Sequence, residues 1–468
     1  MAFAKGKKDA VSTDRYGRAL AANAFFAALG RILGVATAFA TTALITRALG
    51  AELFGEYALV MALVTVFYVL ADFGLGQLFL RELSLRAGAA PGIASEIFTL
   101  RLALAVFFLA LAPVGALLFS YPGLIVAGAA LSAVGFLALS LSHLLTGVFQ
   151  RALAMHWTAA AEWLGRLVQF VSAGAIFYFA GAAQILSPSA AFFLFIAAFV
   201  AGAVVQLAVL FIRSRRFVAL GLAFSRSRAR ALLKEALPLG ASLLFVYIYF
   251  RTDTIILSLY HPGSPVGFYS LAYRVLENLI FFPAALAGLV FGRLSETWVK
   301  RPREFRTLFT RTLGVLALAA PAAALGTFWA APFITRLLGG PGFEPAAEAL
   351  KILSAAIFFI FLAALPGLAV VAMGEQRRAL WVYAVGAGLN VGLNLIFIPG
   401  YSFVAAAWTT VATEAMVTVG LCWIAFRTMS SKSHMIEAKQ AAKYDANLRE
   451  GHFVTESNQD QEPKIKER

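Results

Sequence analysis

Charge is what this sequence has least of. Only 13% of its 468 residues are Asp, Glu, Lys or Arg, one is cysteine and five are histidine. A soluble domain carries about 25% charged residues, so a water-facing globule of this size is excluded. Cys422 stands alone and can form no intrachain disulfide, and no His, Cys or carboxylate spacing matches a metal site. The chain has no Gly-rich phosphate loop followed by Lys-Ser/Thr and no other cofactor motif, which argues against ATP hydrolysis. Strand-like alternation is missing too, which argues against a membrane barrel.

What is present is apolar length. Hydrophobic residues make up 61% of the chain and the mean hydropathy is +0.81. They gather into runs of about 20 or more, the length a helix needs to cross a hydrocarbon core of roughly 30 Å. About twelve such runs follow one another: 19–45, 57–80, 97–119, 123–149, 158–181, 189–213, 236–260, 266–291, 312–338, 346–372, 378–398 and 401–427. The composition therefore predicts an all-α polytopic membrane protein.

Lys and Arg concentrate in alternate connections. One set holds Lys5, Lys7, Lys8, Arg15 and Arg18, then Arg81 and Arg86, Arg151, the run from Arg213 to Lys234, the run from Arg293 to Arg311, and Arg377 with Arg378. The opposite set holds little beyond Arg47 and Arg336. Cytoplasmic loops carry the basic excess, so both termini are expected in the cytoplasm of a plasma-membrane protein whose first span is uncleaved. This asymmetry accounts for most of the net charge of +15 without nucleic-acid binding, and the basic 213–234 loop suits anionic membrane lipids.

That loop divides the spans into two sixes. The expected organisation is a cytoplasmic segment 1–18, an N-terminal lobe 19–213, a basic inter-lobe loop 214–235, a C-terminal lobe 236–427 and a disordered cytoplasmic tail 428–468. Each lobe opens with a similar helix-turn-helix, in which Gly55-x-Tyr57 matches Gly267-x-Tyr269. A parallel repeat of this kind places a transport site between the halves. The external loops are short, leaving no outer domain for a membrane-embedded glycan transferase.

Several charges fall inside the runs, where a central Arg or Asp costs about 2.5 to 3.5 kcal/mol on insertion scales. In YRVLENL, Arg274, Glu277 and Asn278 share one helix face by their i, i+3, i+4 spacing. Arg251 and Asp253 sit on the preceding run, which is antiparallel, so the two groups meet at similar depth. Arg31, Asp72, the i, i+4 pair Glu162 and Arg166, and Glu414 complete the set. Two readings stand for them. Interhelical ion pairs would fix packing and neutralise each other. Alternatively Arg31, Arg274, Arg251 and Arg166, with Asn278, line a cavity for an anion, while Asp72, Asp253, Glu277 and Glu414 balance charge or couple transport to protons. Guanidinium suits the second reading because its planar fork binds phosphate oxygens in pairs at any relevant pH.

Stretches spread over the chain carry a resemblance. LGAELFGEYALVMALVTVFYVLADFGLGQLFLREL from Leu49, VGFYSLAYRVLENL from Val266 and VAMGEQRRALWVYAVGAGLNVGLNLIFIPGYSFVAAAWTTVATE from Val371 resemble polysaccharide-biosynthesis proteins of the O-antigen flippase type. These belong to the multidrug, oligosaccharidyl-lipid and polysaccharide (MOP) exporter superfamily. The resemblance covers roughly 19–427. It implies two six-helix lobes in a V-shaped transporter that exposes a central cavity alternately to each side. It further implies a polyprenyl-pyrophosphate-linked oligosaccharide as cargo, glycan polymerase or assembly proteins as partners, and no enzymatic step. Arg31 and Arg274 are the positions that could engage the pyrophosphate. A multidrug antiporter of the same superfamily is the nearest alternative, although its cationic substrates would favour a cavity dominated by carboxylates.

Overall fold

The computed structural model describes residues 2–72, 74–85, 90–182 and 185–449, with side chains described from Leu33 to Ser431 except at 73, 84–91, 181–184, 237–244 and 246–249. The described residues are almost entirely helical. In chain order the helices are α1 (Ala2–Asp72), α2 (Leu75–Leu85), α3 (Ala90–Leu118), α4 (Gly123–Arg151), α5 (Met155–Phe177), α6 (Pro188–Ser214), α7 (Arg226–Tyr260), α8 (Ser264–Leu279), α9 (Phe281–Lys300), α10 (Pro302–Gly339), α11 (Ala346–Ala372) and α12 (Gln376–Arg449).

Local chemistry sets most of the boundaries. Gly50 takes φ 68° and breaks α1 into two arms, and Ser402 at φ 53° does the same to α12 just beyond Pro399. Ser187 caps α6 by accepting from the Ala190 amide at 3.3 Å, with Pro188 in the first turn where its missing N–H is harmless. Pro283 cannot donate to Leu279, so the run from Ser264 to Lys300 bends between α8 and α9. Threonine hydroxyls in the apolar helices return to the carbonyl one turn back, as Thr65 does to Met61 at 2.6 Å.

Among the described residues nine helical stretches are long and apolar enough to cross a membrane. Leu33–Leu83 and Gln376–Ser431 each contain two of the runs read from sequence, and α7 supplies the one remaining. Two expectations on the connections change. The basic stretch read as a loop from 214 to 235 is helical from Arg226, and α12 continues to Arg449 where a disordered tail was expected from 428. The sequence SHMIEAKQAAKYDANLR has four Ala and further good helix formers in Met, Glu, Lys, Gln, Leu and Arg, so intrinsic helix preference extends a helix already nucleated by the preceding span.

Helices α1 to α6 pack mainly on one another, and α7 to α12 form a second group. The groups meet where α1 crosses α8. A Cβ added at Gly55 would strike the carbonyl oxygen of Gly263, and one at Gly267 would strike that of Ala51. Each glycine thus faces the residue four positions before the other, and the repeated Gly-x-Tyr is the mark of a near-symmetric helix crossing. Around it Thr46 donates to the Leu338 carbonyl at 2.6 Å and Arg47 to that of Leu337 at 2.8 Å. Phe343 packs edge-on against Phe54 and Phe268 and is fully buried. At this end the two groups are held together by backbone, hydrogen-bond and aromatic contacts.

At the opposite end, the connection after α6 packs onto the first group. The amides of Gly221 and Ala223 donate to Ser95 and Thr99, each at 3.0 Å, and Arg228 pairs with Glu96 at 2.9 Å. Deeper in the first group Arg101, 1% exposed, pairs with Asp72 and also donates to the Ala71 carbonyl at 3.1 Å. That contact ties α3 to the end of α1.

Two expected outcomes follow for thermal unfolding of the purified protein. Gly267→Ala forces the α1–α8 crossing apart and destabilises by about 1–3 kcal/mol, the usual range for overpacking, whereas Gly288→Ala, where added bulk meets nothing within 4 Å, is neutral. Asp72→Ala strands a buried guanidinium and loses about 3–5 kcal/mol. Arg101→Leu strands a carboxylate that is 32% exposed, so its loss is smaller.

Candidate functional site

Beneath the glycine crossing lies a cavity of about 410 Å³ between the two helix groups. The second arm of α1 contributes Tyr57, Thr65 and Tyr68, and α8 contributes Ser270, Tyr273, Arg274, Glu277 and Asn278. Arg251 and Thr254 of α7 complete the far wall. The i, i+3, i+4 spacing of the α8 residues does bring them to one cavity face.

The charges here are unevenly satisfied. Arg251 pairs with Glu277 at 2.7 Å, the antiparallel meeting expected of the two helices. Arg274 instead reaches across to the other group and donates to the Thr42 hydroxyl at 2.8 Å. Its guanidinium carbon lies 5.8 Å from the Phe54 ring centroid and 6.0 Å from that of Tyr57, within cation–π reach. Asn278 donates to the Arg274 carbonyl at 2.7 Å, a bond within its own helix. Among the described residues Arg274 has no carboxylate partner. The cavity therefore holds one positive charge beyond its paired ones, and hydroxyl and ring partners leave guanidinium donors for an anion.

The remaining charged positions fall elsewhere. Arg166 pairs with Glu162 at 2.7 Å and donates to the Gly34 carbonyl at 2.9 Å, in a separate chamber of the first group. Asp72 is engaged by Arg101. Asp253 is wholly buried in the second group, where it accepts from Tyr269 at 2.6 Å, Thr410 at 2.9 Å and Asn394 at 2.5 Å. Glu414 is also buried there, with Oε1 unpartnered among the described residues. Asp253 is thus not a partner of Arg251 despite their closeness in sequence: two helical positions differ by about 200°, which turns one to the cavity and the other to the core. The Arg31 side chain lies outside the described residues.

The sequence reading did not single out Arg101, Thr42, Tyr57 or Tyr68 as site-forming. Arg101 falls within an apolar run and was the available signal, since an intramembrane arginine demands a partner. His143 is hydrogen-bonded through Nδ1 to the Tyr68 hydroxyl at 2.5 Å.

Known proteins share both sequence and fold with this chain. Residues 238–396 match the MatE family model. The chain is 25% identical over 174 residues to the probable low-salt glycan biosynthesis flippase Agl15 of Haloferax volcanii, covering 37% of each protein. It is 27% identical over 175 residues to the putative O-antigen transporter of Escherichia coli K12, covering 37% of this chain and 42% of the relative. These matches span less than half the length of either relative. Among solved structures, an inward-facing multidrug resistance MATE family transporter of the MOP superfamily aligns with a TM-score of 0.67 at 14% identity, over 86% of this chain and 96% of the other. The lipid II flippase MurJ in an inward closed conformation gives 0.66 at 13% identity, over 87% and 90%. The fold is the two-lobe, all-α MOP-exporter fold of a multi-pass membrane protein. With residues 20–298 matching its model, the chain belongs to the family described as polysaccharide biosynthesis protein.

Proposed function

We propose that the protein moves a polyprenyl-pyrophosphate-linked oligosaccharide from the inner to the outer leaflet of the cytoplasmic membrane by alternating access, without covalent chemistry. The observation that carries this reading is Arg274, a cavity arginine with a hydroxyl and two rings as partners where Arg101, Arg166 and Arg251 each have a carboxylate. A guanidinium fork pairs with phosphate oxygens bidentately, and the pyrophosphate is the part shared by all such lipid-linked glycans. Relatives whose names denote a glycan-biosynthesis flippase and an O-antigen transporter support the same cargo class.

In this reading residues 19–213 and 236–427 act as the two lobes, 214–235 joins them, and both termini lie in the cytoplasm with 1–18 and 428–468 flanking the membrane part. The glycine crossing then closes the outer face, and the cavity receives cargo from within. Arg274 and Asn278 contact the headgroup, and Arg251 contributes when Glu277 yields it. Asp253 and Glu414 lie off the cavity, which fits a part in ion coupling better than one in substrate contact. Membrane lipids and glycan-assembly proteins, a polymerase among them, are the partners this cargo requires.

The multidrug antiporter remains as a second reading on one ground, the MatE match over residues 238–396, which includes the buried Asp253. Export of a cationic dye that is lost in Glu414→Gln would favour it.

In cells lacking the protein, lipid-linked oligosaccharide accumulates on the inner leaflet, and the wild type clears it. Arg274→Ala at normal protein level reduces clearance ~10-fold or more, because a hydrogen bond to a charged group contributes roughly 1.5–3 kcal/mol. An unchanged lipid pool on deletion contradicts the flippase reading. Glu277→Gln removes a negative charge from the cavity and releases Arg251, so inorganic pyrophosphate binds the purified variant several-fold more tightly than wild type; weaker binding would contradict the anion assignment.

A further inference from the structure

A second cavity of about 540 Å³ lies within the first lobe, formed by α4, α5 and α6. It adjoins the inter-lobe cavity, since Gln169 and Phe199 line both. The partition is also bridged by the bond between Tyr68, on the inter-lobe side, and His143, on the chamber side. Helices α5 and α6 touch at Gly165 and Gly202, where a Cβ on either would strike the carbonyl oxygen of the other, so the wall beside the chamber is fixed by backbone contact.

Among the described residues the lining is polar and carries no net charge. Glu162 and Arg166 are its only Asp, Glu, Lys or Arg residues among the described ones, and they pair with each other at 2.7 Å. Around them stand the carboxamides of Gln169 and Gln206, the hydroxyl of Thr158 and the His143 ring. The Thr158 hydroxyl is buried without a hydrogen-bond partner among the described residues, and Tyr68 bonds to Nδ1 of His143. Carboxamides and hydroxyls each donate and accept, which matches vicinal hydroxyl groups rather than an ion. Phe199 adds a flat apolar face at the entrance, and the volume falls within the roughly 300–1,000 Å³ typical of small-ligand sites.

We propose that this chamber is the subsite for an uncharged sugar, the one joined directly to the pyrophosphate of the lipid-linked glycan. The proposal rests on the flippase reading. With the pyrophosphate at Arg274, the first sugar passes Gln169 and Phe199 into the chamber, where its hydroxyls meet Gln206 and Thr158 and its C–H face meets Phe199. Arg166 acts here through its pair with Glu162, as a neutral hydrogen-bonding unit and not as a second phosphate ligand.

The test compares binding of four lipids to the purified full-length protein in nanodiscs: undecaprenyl pyrophosphate, and the same lipid carrying one hexose, one N-acetylhexosamine or one hexuronate. Wild type binds at least one neutral-sugar lipid about tenfold more tightly than the bare lipid. Thr158→Val and Gln206→Leu each remove that gain and leave affinity for the bare lipid within about twofold, which also reports that the variants fold. Arg274→Ala weakens all four. Neutral-sugar lipids that bind wild type no better than the bare lipid overturn the subsite and leave the flippase reading intact, as do chamber variants that keep the gain or weaken the bare lipid equally. Tightest binding of the hexuronate overturns the assignment to an uncharged sugar. Failure of all four lipids to bind wild type overturns the flippase reading, and the subsite with it.

Discussion

An arginine in hydrocarbon persists only when something answers its charge, and this requirement organises the interior of the protein. Arg101 takes Asp72 and fixes α3 on α1; Arg166 takes Glu162 within α5; Arg251 takes Glu277 between α7 and α8. Arg274 is treated differently. It spans the two lobes to a threonine hydroxyl and two aromatic rings, contacts that can hold a guanidinium in place without neutralising it. The first three pairings build the framework, and the fourth position leaves a guanidinium without a carboxylate partner among the described residues, the charge that the proposed flippase reading assigns to cargo.

The same lobes that share this cavity touch through backbone at Gly55 and Gly267. A contact between glycines buries little side chain and carries no ion pair, so what must break when the lobes separate is the packing around it, the Thr46 and Arg47 hydrogen bonds and the Phe343 contact with Phe54. The cavity and the closed end lie along the same two helix arms. Movement of α8 against α1 would therefore open the crossing and draw Arg274 away from Thr42 together. In the proposed reading, binding and gating would share one pair of elements, as alternating access requires of a site between repeats.

Much of this was legible in the sequence. Apolar run lengths gave the helices, and the i, i+3, i+4 spacing placed Arg274, Glu277 and Asn278 on one face. The Gly-x-Tyr repeat pointed to related positions, though not to their meeting in space. What the sequence could not show was partner choice across helices. Arg101 and Asp72 are 29 residues apart on different helices, and only packing brings them together. Asp253 stood among the acids expected to balance charge or couple transport, yet the helical turn between it and Arg251 sends it into a shell of Tyr269, Thr410 and Asn394. Chamber residues such as Thr158 and Gln206 carry no charge and follow no motif, so nothing in one sequence sets them apart from ordinary helix-packing polar groups.

The most direct measurement is a cryo-electron microscopy structure of the protein with polyprenyl pyrophosphate in a lipid nanodisc. The account predicts phosphate density between the lobes, with an oxygen within hydrogen-bonding distance of the Arg274 guanidinium beside Thr42. Headgroup density elsewhere, with Arg274 still bonded only to Thr42, would contradict it.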